Sequence, residues 1–210
     1  MNIAVIGGNG KAGSRIVEEA RGRGWRVTAV VRKKGSAPVG AAELVRDLFD
    51  LTPEDLAPFD AVVDAFGAWT PETLPLHQTS LRHLCDLLEG SETRLYVVGG
   101  AGSLYVDEGH TIRLMDTPDF PDAFKSLAAE MGKALDDLRT RKMVHWTYLS
   151  PAADFRANGA RSGRYRIGGE ELLLNADGQS VISYADYAAA MVDLIEQGGH
   201  DRERVSAVAL

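Results

Sequence analysis

The chain has 210 residues, of which 45% are hydrophobic and 25% are charged. These fractions are typical of folded globular proteins, and they exclude disordered, collagen-like and coiled-coil chains. The formal net charge is −7, and the basic residues are spread along the chain, whereas a nucleic-acid binder normally carries a basic stripe. We therefore expect no nucleic-acid partner.

The cysteine content and the first residues bear on the compartment. Cys85 is the single cysteine and cannot form an internal disulfide, which fits a reducing, cytoplasmic location. Residues Met1 to Ile6 lack the basic region of a signal peptide, and no later stretch has the roughly 20 apolar residues that a membrane-spanning helix needs. Because there is also no repeat and no long linker, the length predicts one domain over residues 1–210, with no membrane partner.

Short apolar, β-branched runs alternate with segments of helical period along most of the chain. This alternation is typical of β–α–β units around a parallel sheet. The predicted strands are Asn2 to Ile6, Arg26 to Val31, Glu43 to Arg46, Asp60 to Phe66, Arg94 to Val98 and Trp146 to Leu149. The predicted helices are Ala12 to Gly22, Leu76 to Leu88 and Pro121 to Arg141.

The C-terminal part is less regular. Residues 151–178 are rich in glycine and arginine and are expected to form surface structure beside the sheet. Ser183 followed by Asp186 is typical of a capping box at the start of a helix. The predicted elements are strands at Arg164 to Ile167 and Glu171 to Leu174, a helix to about Gln197, and a last strand at Arg204 to Val208. The predicted fold class is α/β, a doubly wound parallel sheet with helices on both faces and a small C-terminal elaboration on the substrate side.

A glycine-rich loop follows the first predicted strand and precedes the first helix. The segment Gly7-Gly8-Asn9-Gly10-Lys11-Ala12-Gly13 satisfies both Gly8-x-Gly10-x-x-Gly13 and Gly7-x-x-Gly10-x-x-Gly13. In dinucleotide-binding proteins such glycines make the tight turn, let the backbone approach the pyrophosphate and let the helix pack against the strand. The free N–H groups of the helix N-terminus also favour an anion. We assign Gly7, Asn9, Gly10, Lys11, Ala12 and Gly13 to dinucleotide binding, with a structural turn as the alternative.

The pair Gly10-Lys11 also occurs in the phosphate-binding loops of ATPases. That motif requires a glycine five positions before the Gly-Lys pair and a Ser or Thr after it. Val5 and Ala12 occupy those two positions here. The sequence therefore disfavours an ATPase.

The end of the second predicted strand bears on the choice of cofactor. An Asp or Glu there would bind the ribose 2′-OH of NAD, whereas an Arg accommodates the 2′-phosphate of NADP. The strand ends in Arg32-Lys33-Lys34, and no acid occurs between Glu19 and Glu43. The sequence predicts that Arg32 and Lys33 bind the 2′-phosphate, so NADP(H) is preferred. If these are ordinary solvated cations, NAD(H) remains possible.

The ends of the other strands are expected to line the same crevice, because ligands of open α/β sheets bind outside the carboxyl ends of the strands. Asp47 and Leu48 are expected beside the adenine, and Ala65, Phe66 and Gly67 along the cofactor. Gly99 and Gly100, with Ser150, Pro151 and Ala152, are expected to face the nicotinamide.

Together these motifs resemble the NmrA-like, atypical branch of the short-chain dehydrogenase/reductase superfamily, and within it the NADH-flavin reductases related to biliverdin-IXβ reductase. The resemblance covers nearly the whole chain. It rests on the glycine loop, Val31-Arg32, Val98 to Ser103, Trp146 to Pro151 and Gly178-x-Ser180-x-Ile182-Ser183-x-x-Asp186. It implies a Rossmann fold, a bound nicotinamide dinucleotide and, in several members, reduction of flavins or quinone-like acceptors.

The chain lacks the Tyr-x-x-x-Lys pair with which most of that superfamily protonates a carbonyl. No tyrosine is followed four positions later by lysine, and Lys125, in the helix where that lysine would lie, is preceded at that distance by Pro121. This argues against an alcohol dehydrogenase and against an ordinary epimerase or dehydratase. The candidate catalytic residues are Ser103, Lys125 and Ser150.

A flavin acceptor requires less of the protein, because the hydride goes to the ring system and the proton can come from water. Trp69 and Phe155 could supply a stacking surface or could simply be packed, and Ser103 could bind the acceptor or the nicotinamide amide or cap a turn. His110 could relay a proton. The five histidines lack the spacing of a zinc site, so no metal is expected.

The leading hypothesis is an NADP(H)-dependent reductase of a small planar acceptor, with flavin as substrate and not as a tightly bound cofactor. The alternatives are a dinucleotide-bound sensor without turnover and an unusual epimerase-type enzyme. The expected assembly is a monomer or a homodimer.

Overall fold

The computed structural model describes residues 1–210, and a large, mostly parallel β-sheet forms its centre. The strands are β1 (Asn2–Ile6), β2 (Arg26–Val31), β3 (Ala42–Val45), β4 (Ala61–Asp64), β5 (Arg94–Val98), β6 (Trp146–Ser150), β7 (Asp154–Arg156), β8 (Tyr165–Gly168), β9 (Val181–Ser183) and β10 (Glu203–Ala209). The helices are α1 (Lys11–Gly22), α2 (Pro53–Leu56), α3 (Leu76–Leu88), α4 (Asp122–Leu138) and α5 (Tyr184–Gln197). None of them is both long and apolar enough to cross a bilayer.

The main sheet has eight strands in the order β3-β2-β1-β4-β5-β6-β10-β8. All neighbours are parallel except β8, which runs antiparallel to β10 at the edge. The strand order reverses at β1, because the chain goes from β1 outward to β3 and then returns to place β4 on the other side of β1. The crevice that opens at such a reversal is where open α/β sheets bind ligands.

Each face of the sheet is covered by helices, which explains why the central strands are apolar on both sides. On one face, α1 and α5 pack against each other and against Val5, Val63 and Leu149. On the other face, α3 and α4 cover Ala4, Val62 and Trp146. The predicted doubly wound α/β class is confirmed, with one antiparallel edge strand.

The C-terminal elaboration is tied to the last helix. Strands β7 and β9 pair in parallel as a separate two-stranded sheet, and Ser183 accepts a hydrogen bond from the Asp186 N–H (3.0 Å) at the start of α5. The predicted reciprocal bond of a capping box does not form. The Asp186 carboxylate instead accepts the N–H groups of Ser162 (3.0 Å) and Gly163 (2.8 Å).

Several predicted boundaries differ from the structure. Residues Glu171 to Leu174 do not form a strand, because Leu172 donates its N–H to Tyr105 in a distant loop (2.8 Å) and only an isolated bridge forms there. Strand β10 is not at the edge of the sheet, because β8 lies outside it. Helix α4 ends at Leu138, short of Arg141, and β4 ends at Asp64, short of Phe66. Strands β7 and β9 and helix α2 have no counterpart among the predicted elements.

Candidate functional site

The glycine loop between β1 and α1 is packed so tightly that three of its glycines are required by the fold itself. Gly7 has a φ of +66°, which favours glycine, and a Cβ there would lie 2.8 Å from the Ala65 carbonyl oxygen. A Cβ at Gly8 would lie 2.8 Å from the Ala29 Cβ, and one at Gly13 would lie 2.3 Å from the Gly7 carbonyl oxygen. These contacts hold the loop against β2, β4 and the first turn of α1.

Gly10 is different. Its φ of −75° suits any residue, and the only neighbouring atom that an added Cβ would meet is the Gly7 carbonyl oxygen, at 3.1 Å. A side chain here would therefore fill space in front of the helix instead of clashing with the interior. The 3.1 Å contact with the Gly7 carbonyl oxygen is itself tight, and close approach of a bound group to the backbone is a second reason for a glycine at such a position.

The start of α1 supplies the charge that a pyrophosphate needs. The first-turn N–H groups of Lys11, Ala12 and Gly13 have no partner within the helix, and the first turn has no acidic residue. The positive end of the helix dipole therefore points at the open space beside Gly10. The open space beside Gly10, the free N–H groups and the positive end of the helix together fit a dinucleotide pyrophosphate.

The end of β2 presents a cluster of cations beside this loop. Arg32, Lys33 and Lys34 are exposed, and none of them forms an ion pair. The Asn9 Nδ2 donates to the Ser36 Oγ (3.2 Å), which joins the glycine loop to the segment that follows the cations. Unpaired cations beside the glycine loop are a suitable place for a ribose phosphate.

The ends of β3 and β4 differ in what they can offer a ligand. Leu48 is buried in the core, and the Asp47 carboxylate accepts the Phe49 N–H (3.0 Å) as the cap of a short 3₁₀ helix. Ala65 and Phe66 are half-buried, and Gly67 is exposed. The tip of β4 thus passes directly beside Gly7, whereas Leu48 offers no side chain to the crevice.

Two tyrosines fix the ends of β5 and β6 from opposite faces of the sheet. The Tyr148 ring lies where a Gly99 side chain would be, 2.2 Å from that Cβ position, and its hydroxyl accepts the Gly100 N–H (3.1 Å). On the other face, the Tyr187 hydroxyl donates to the Leu149 carbonyl (2.7 Å). Gly99 is therefore needed for packing whether or not it contacts a ligand. Sequence reasoning missed both tyrosines.

The three candidate catalytic residues have different surroundings. Ser103 is buried in the loop after β5, where its carbonyl accepts from Arg204 (3.4 Å). Lys125 is exposed in the first turn of α4 and pairs with Asp122 (2.7 Å). Ser150 is fully buried at the end of β6, and its hydroxyl has no hydrogen-bond partner. Next to it, Pro151 and Ala152 are also buried.

The aromatic and histidine candidates also have distinct surroundings. Trp69 is 72% exposed, and its indole lies against Gly67 just past β4. Phe155 is half-buried and packs on the rings of Tyr184 (3.9 Å between centroids) and Tyr187 (4.8 Å). His110 stacks on Tyr105 and contacts Glu171 (2.7 Å). Trp69 is thus the more exposed of the two candidate stacking residues.

A small, partly open pocket of about 20 Å³ lies at the ends of β4 and β5. It is lined by Asp64, Ser80 and Tyr148, among others. Burial raises the pKa of Asp64 to about 6, although its carboxylate accepts the Phe66 N–H (3.0 Å). Burial also raises the pKa of Tyr148 to about 12, so this hydroxyl stays protonated at neutral pH. No three His, Cys, Asp or Glu side chains come together to hold a metal ion.

The sheet order and the loop geometry define a Rossmann-type, NAD(P)-binding protein. A family model described as NAD(P)H-binding matches residues 7–198. The chain therefore belongs to this NAD(P)H-binding family, and its cofactor class is a nicotinamide dinucleotide.

Similar proteins cover the whole chain. The chain is 48% identical to the uncharacterized protein YwnB of Bacillus subtilis (strain 168) over 211 residues, which span 100% of this chain and 99% of YwnB. A crystal structure of SP1627 from Streptococcus pneumoniae TIGR4, which is named a putative NADH-flavin reductase, is 51% identical, with a TM-score of 0.97 and full coverage of both chains. A protein of Bacteroides thetaiotaomicron named a putative epimerase is 35% identical, with a TM-score of 0.84, over 100% of this chain and 97% of that one. The family resemblance found in the sequence is confirmed, and these relatives support an NAD(P)H-dependent oxidoreductase.

Proposed function

We propose that the protein is an NADPH-dependent reductase whose acceptor is a free, planar, flavin-like molecule. Residues 1–210 would act as one domain, as a monomer or homodimer, in the cytoplasm. The observation that carries the proposal is the open position at Gly10 beneath the free amides of α1, next to the unpaired Arg32 and Lys33. The name of the Streptococcus pneumoniae relative supports a flavin as acceptor.

In this proposal the chain's own groups bind and orient the two reactants. The N–H groups of Lys11, Ala12 and Gly13 hold the pyrophosphate, and Arg32 with Lys33 holds the 2′-phosphate. Ala65 to Gly67, after β4, and Gly99 and Gly100, after β5, border the extended cofactor. When bound, the reduced nicotinamide supplies a hydride. The rate then comes mainly from proximity and orientation.

The acceptor side offers a flat surface and no dedicated acid. Trp69 is the exposed aromatic ring past β4, whereas Lys125 is paired with Asp122 on the surface. A flavin can take its proton from water, so this surface is compatible with flavin reduction and poorly suited to a carbonyl substrate. Ser103 and Ser150 would act through the backbone that they shape, since both side chains are buried.

A redox sensor without turnover is the second candidate, and the missing acid favours it. Its occupancy would follow the NADP⁺/NADPH ratio, and a partner protein would respond to that occupancy. An epimerase-type enzyme is less well supported, because the sequence has no Tyr-x-x-x-Lys pair.

Steady-state oxidation of NADPH and NADH with FMN, FAD, biliverdin and simple quinones tests the proposal. We expect turnover with at least one flavin and a higher kcat/KM for NADPH than for NADH. The control variant is Gly10→Val, whose side chain would fill the space proposed for the pyrophosphate, and it should lose activity. Tight NADPH binding without turnover of any acceptor would favour the sensor. Turnover with quinones and with no flavin would contradict the proposal that the acceptor is a flavin.

A further inference from the structure

The loop between β2 and β3 is held by one carboxylate. Glu43, on the edge strand β3, accepts three consecutive backbone N–H groups of that loop. Gly35 donates to its Oε2 (2.9 Å), and Ser36 and Ala37 donate to its Oε1 (3.0 and 3.2 Å). Three charge-assisted bonds to one side chain are strong for an exposed loop, and consecutive N–H groups of this kind form an anion-binding concavity.

This loop connects directly to the two parts of the proposed phosphate site. The Ser36 hydroxyl donates to the Lys33 carbonyl (2.6 Å), and the Asn9 Nδ2 donates to the Ser36 Oγ (3.2 Å). The Glu43 carboxylate therefore fixes the residue that joins the cation cluster after β2 to the glycine loop. Without Glu43, three N–H groups would lose their partner, and the tie between Lys33 and Asn9 would no longer be anchored.

The far end of the loop is fixed separately to α1. The Arg21 Nη1 donates to the Val39 carbonyl (2.7 Å), and Gly40, with a φ of +80°, lies under the Arg21 guanidinium. A groove of about 540 Å³ remains between α1 and this loop, lined by Asn9, Ser14 and Ser36 among others. Arg21 secures only the far end, so the part beside the cations depends on the three bonds to Glu43 together with the Ser36 contacts to Lys33 and Asn9.

We propose that Glu43 is a positioning residue that determines the preference for NADPH over NADH. It holds the 33–37 backbone in the form in which Arg32, Lys33 and Ser36 surround the 2′-phosphate, and it does not touch the cofactor itself. This inference rests on the proposed function, since it presumes that Arg32 binds that phosphate. The three N–H bonds also hold the pKa of Glu43 below its ordinary value, so the carboxylate is ionised at neutral pH.

A simple charge argument predicts the opposite effect. Glu43 is a negative charge near the proposed phosphate site, so if it acted only through its charge, its removal would strengthen NADPH binding. The positioning role predicts weaker NADPH binding, because a loosened loop must be ordered when the cofactor binds. The sign of the change in NADPH affinity therefore separates the two roles.

The test is the dissociation constant of each cofactor, measured by fluorescence titration at one ionic strength. For Glu43→Ala we expect about a tenfold or greater weakening of NADPH and less than about threefold for NADH, in line with the loss of charge-assisted bonds. Glu43→Gln keeps the shape and at most two of the three bonds, so NADPH should weaken by a smaller factor. Glu18→Gln is the matched control. It removes a carboxylate that lines the same groove but pairs only with Arg15 (2.9 Å), and NADPH affinity should not fall.

A second readout reports the loop without any cofactor. Trypsin cleaves after Arg32, Lys33 and Lys34, so Glu43→Ala should be cut there several times faster than the wild type, and Glu18→Gln should not. Stronger NADPH binding in either Glu43 variant, or equal changes for both cofactors, would overturn the proposal. If Glu43→Ala does not fold, the same directions of change in NADPH and NADH affinity are judged on Glu43→Gln.

The Arg32→Ala variant separates this inference from the proposed function. If Arg32→Ala leaves the ratio of NADPH to NADH affinity unchanged, the NADPH assignment itself fails. If Arg32→Ala collapses that ratio and Glu43→Ala does not, only the role of Glu43 is refuted.

Discussion

Replacing Asp64 by Asn should stabilise the protein in a pH-dependent way. The carboxyl is fully buried, with an ordinary pKa of 3.8 and a pKa of about 6 in the fold. Since one pKa unit corresponds to about 1.36 kcal/mol, the ionised side chain destabilises the fold by about 3 kcal/mol above pH 6. Below about pH 4 the side chain is neutral in both the folded and the unfolded chain, so this destabilisation vanishes.

The sign follows from proton linkage. Between about pH 4 and pH 6 the folded state binds more protons at Asp64 than the unfolded chain does, so this group lowers stability as the pH rises. An Asn can keep the bond from the Phe66 N–H (3.0 Å in the wild type). No wild-type bond joins the Asp64 side chain to the Ser80 hydroxyl that lines the same pocket. The value of about 3 kcal/mol is therefore an upper limit to the gain, because the new amide N–H groups also need a partner.

Urea unfolding of wild type and Asp64→Asn at a series of pH values from 4 to 8 measures the effect. We expect the variant to be more stable by up to about 3 kcal/mol at pH 8 and by little at pH 4, with the change centred near pH 5. Asp119→Asn, at an exposed aspartate that forms no ion pair, is the control and should show no such step. A pH-independent difference, or a variant that is less stable at pH 8, would refute the buried-carboxylate reasoning.

Three further predictions concern the cofactor and the chemistry. Gly10→Val should abolish NADPH binding in equilibrium dialysis, while its circular dichroism spectrum stays native. Gly13→Val should instead fail to fold, because its Cβ would lie 2.3 Å from the Gly7 carbonyl oxygen. Retained NADPH binding in Gly10→Val would mean that the glycine loop is purely structural. Arg32→Glu should weaken NADPH by at least about tenfold, the loss of one charge-assisted bond, and NADH far less, as judged by the ratio of their KM values; equal losses would exclude Arg32 from the 2′-phosphate site. Lys125→Met and His110→Ala should each lower kcat with FMN by less than about tenfold, and a loss of several hundredfold with binding intact would reveal a dedicated proton donor.

The parts of the fold that could be predicted are those with a local pattern. The five neighbouring strands β2, β1, β4, β5 and β6 are apolar on both faces, because helices cover both sides of the sheet, and such runs are visible in the sequence. By contrast, β7 and β9 have three residues each and pair across a long stretch of chain. Residues 171–174 bond to the loop at Tyr105. Pairings of this kind depend on the tertiary path and leave no periodic signal.

The candidate site also has a part that could be predicted from the sequence and a part that could not. The glycine loop was predictable, because its glycines meet steric demands that recur wherever a strand, a tight turn and a helix bind a pyrophosphate. The three bonds of Glu43 were not predictable, because its partners are backbone N–H groups that carry no side-chain signature. Likewise, the tract at Gly99 and Gly100 suggested only ligand contact, whereas the Tyr148 ring across the strand also requires a glycine there.

The packing of α1 against α5 makes the glycine loop depend on a distant part of the chain. The inner face of α1, with Ile16, Val17 and Ala20, is buried in the same core as residues of α5, and Arg23 at the end of α1 pairs with Asp193 (2.6 Å) and Glu196 (2.8 Å). The helix that begins at the glycine loop is thus completed by an element that lies far along the sequence from it. A fragment that lacks α5 leaves that face of α1 in water, so residues 1–183 alone should not hold the glycine loop in its native form.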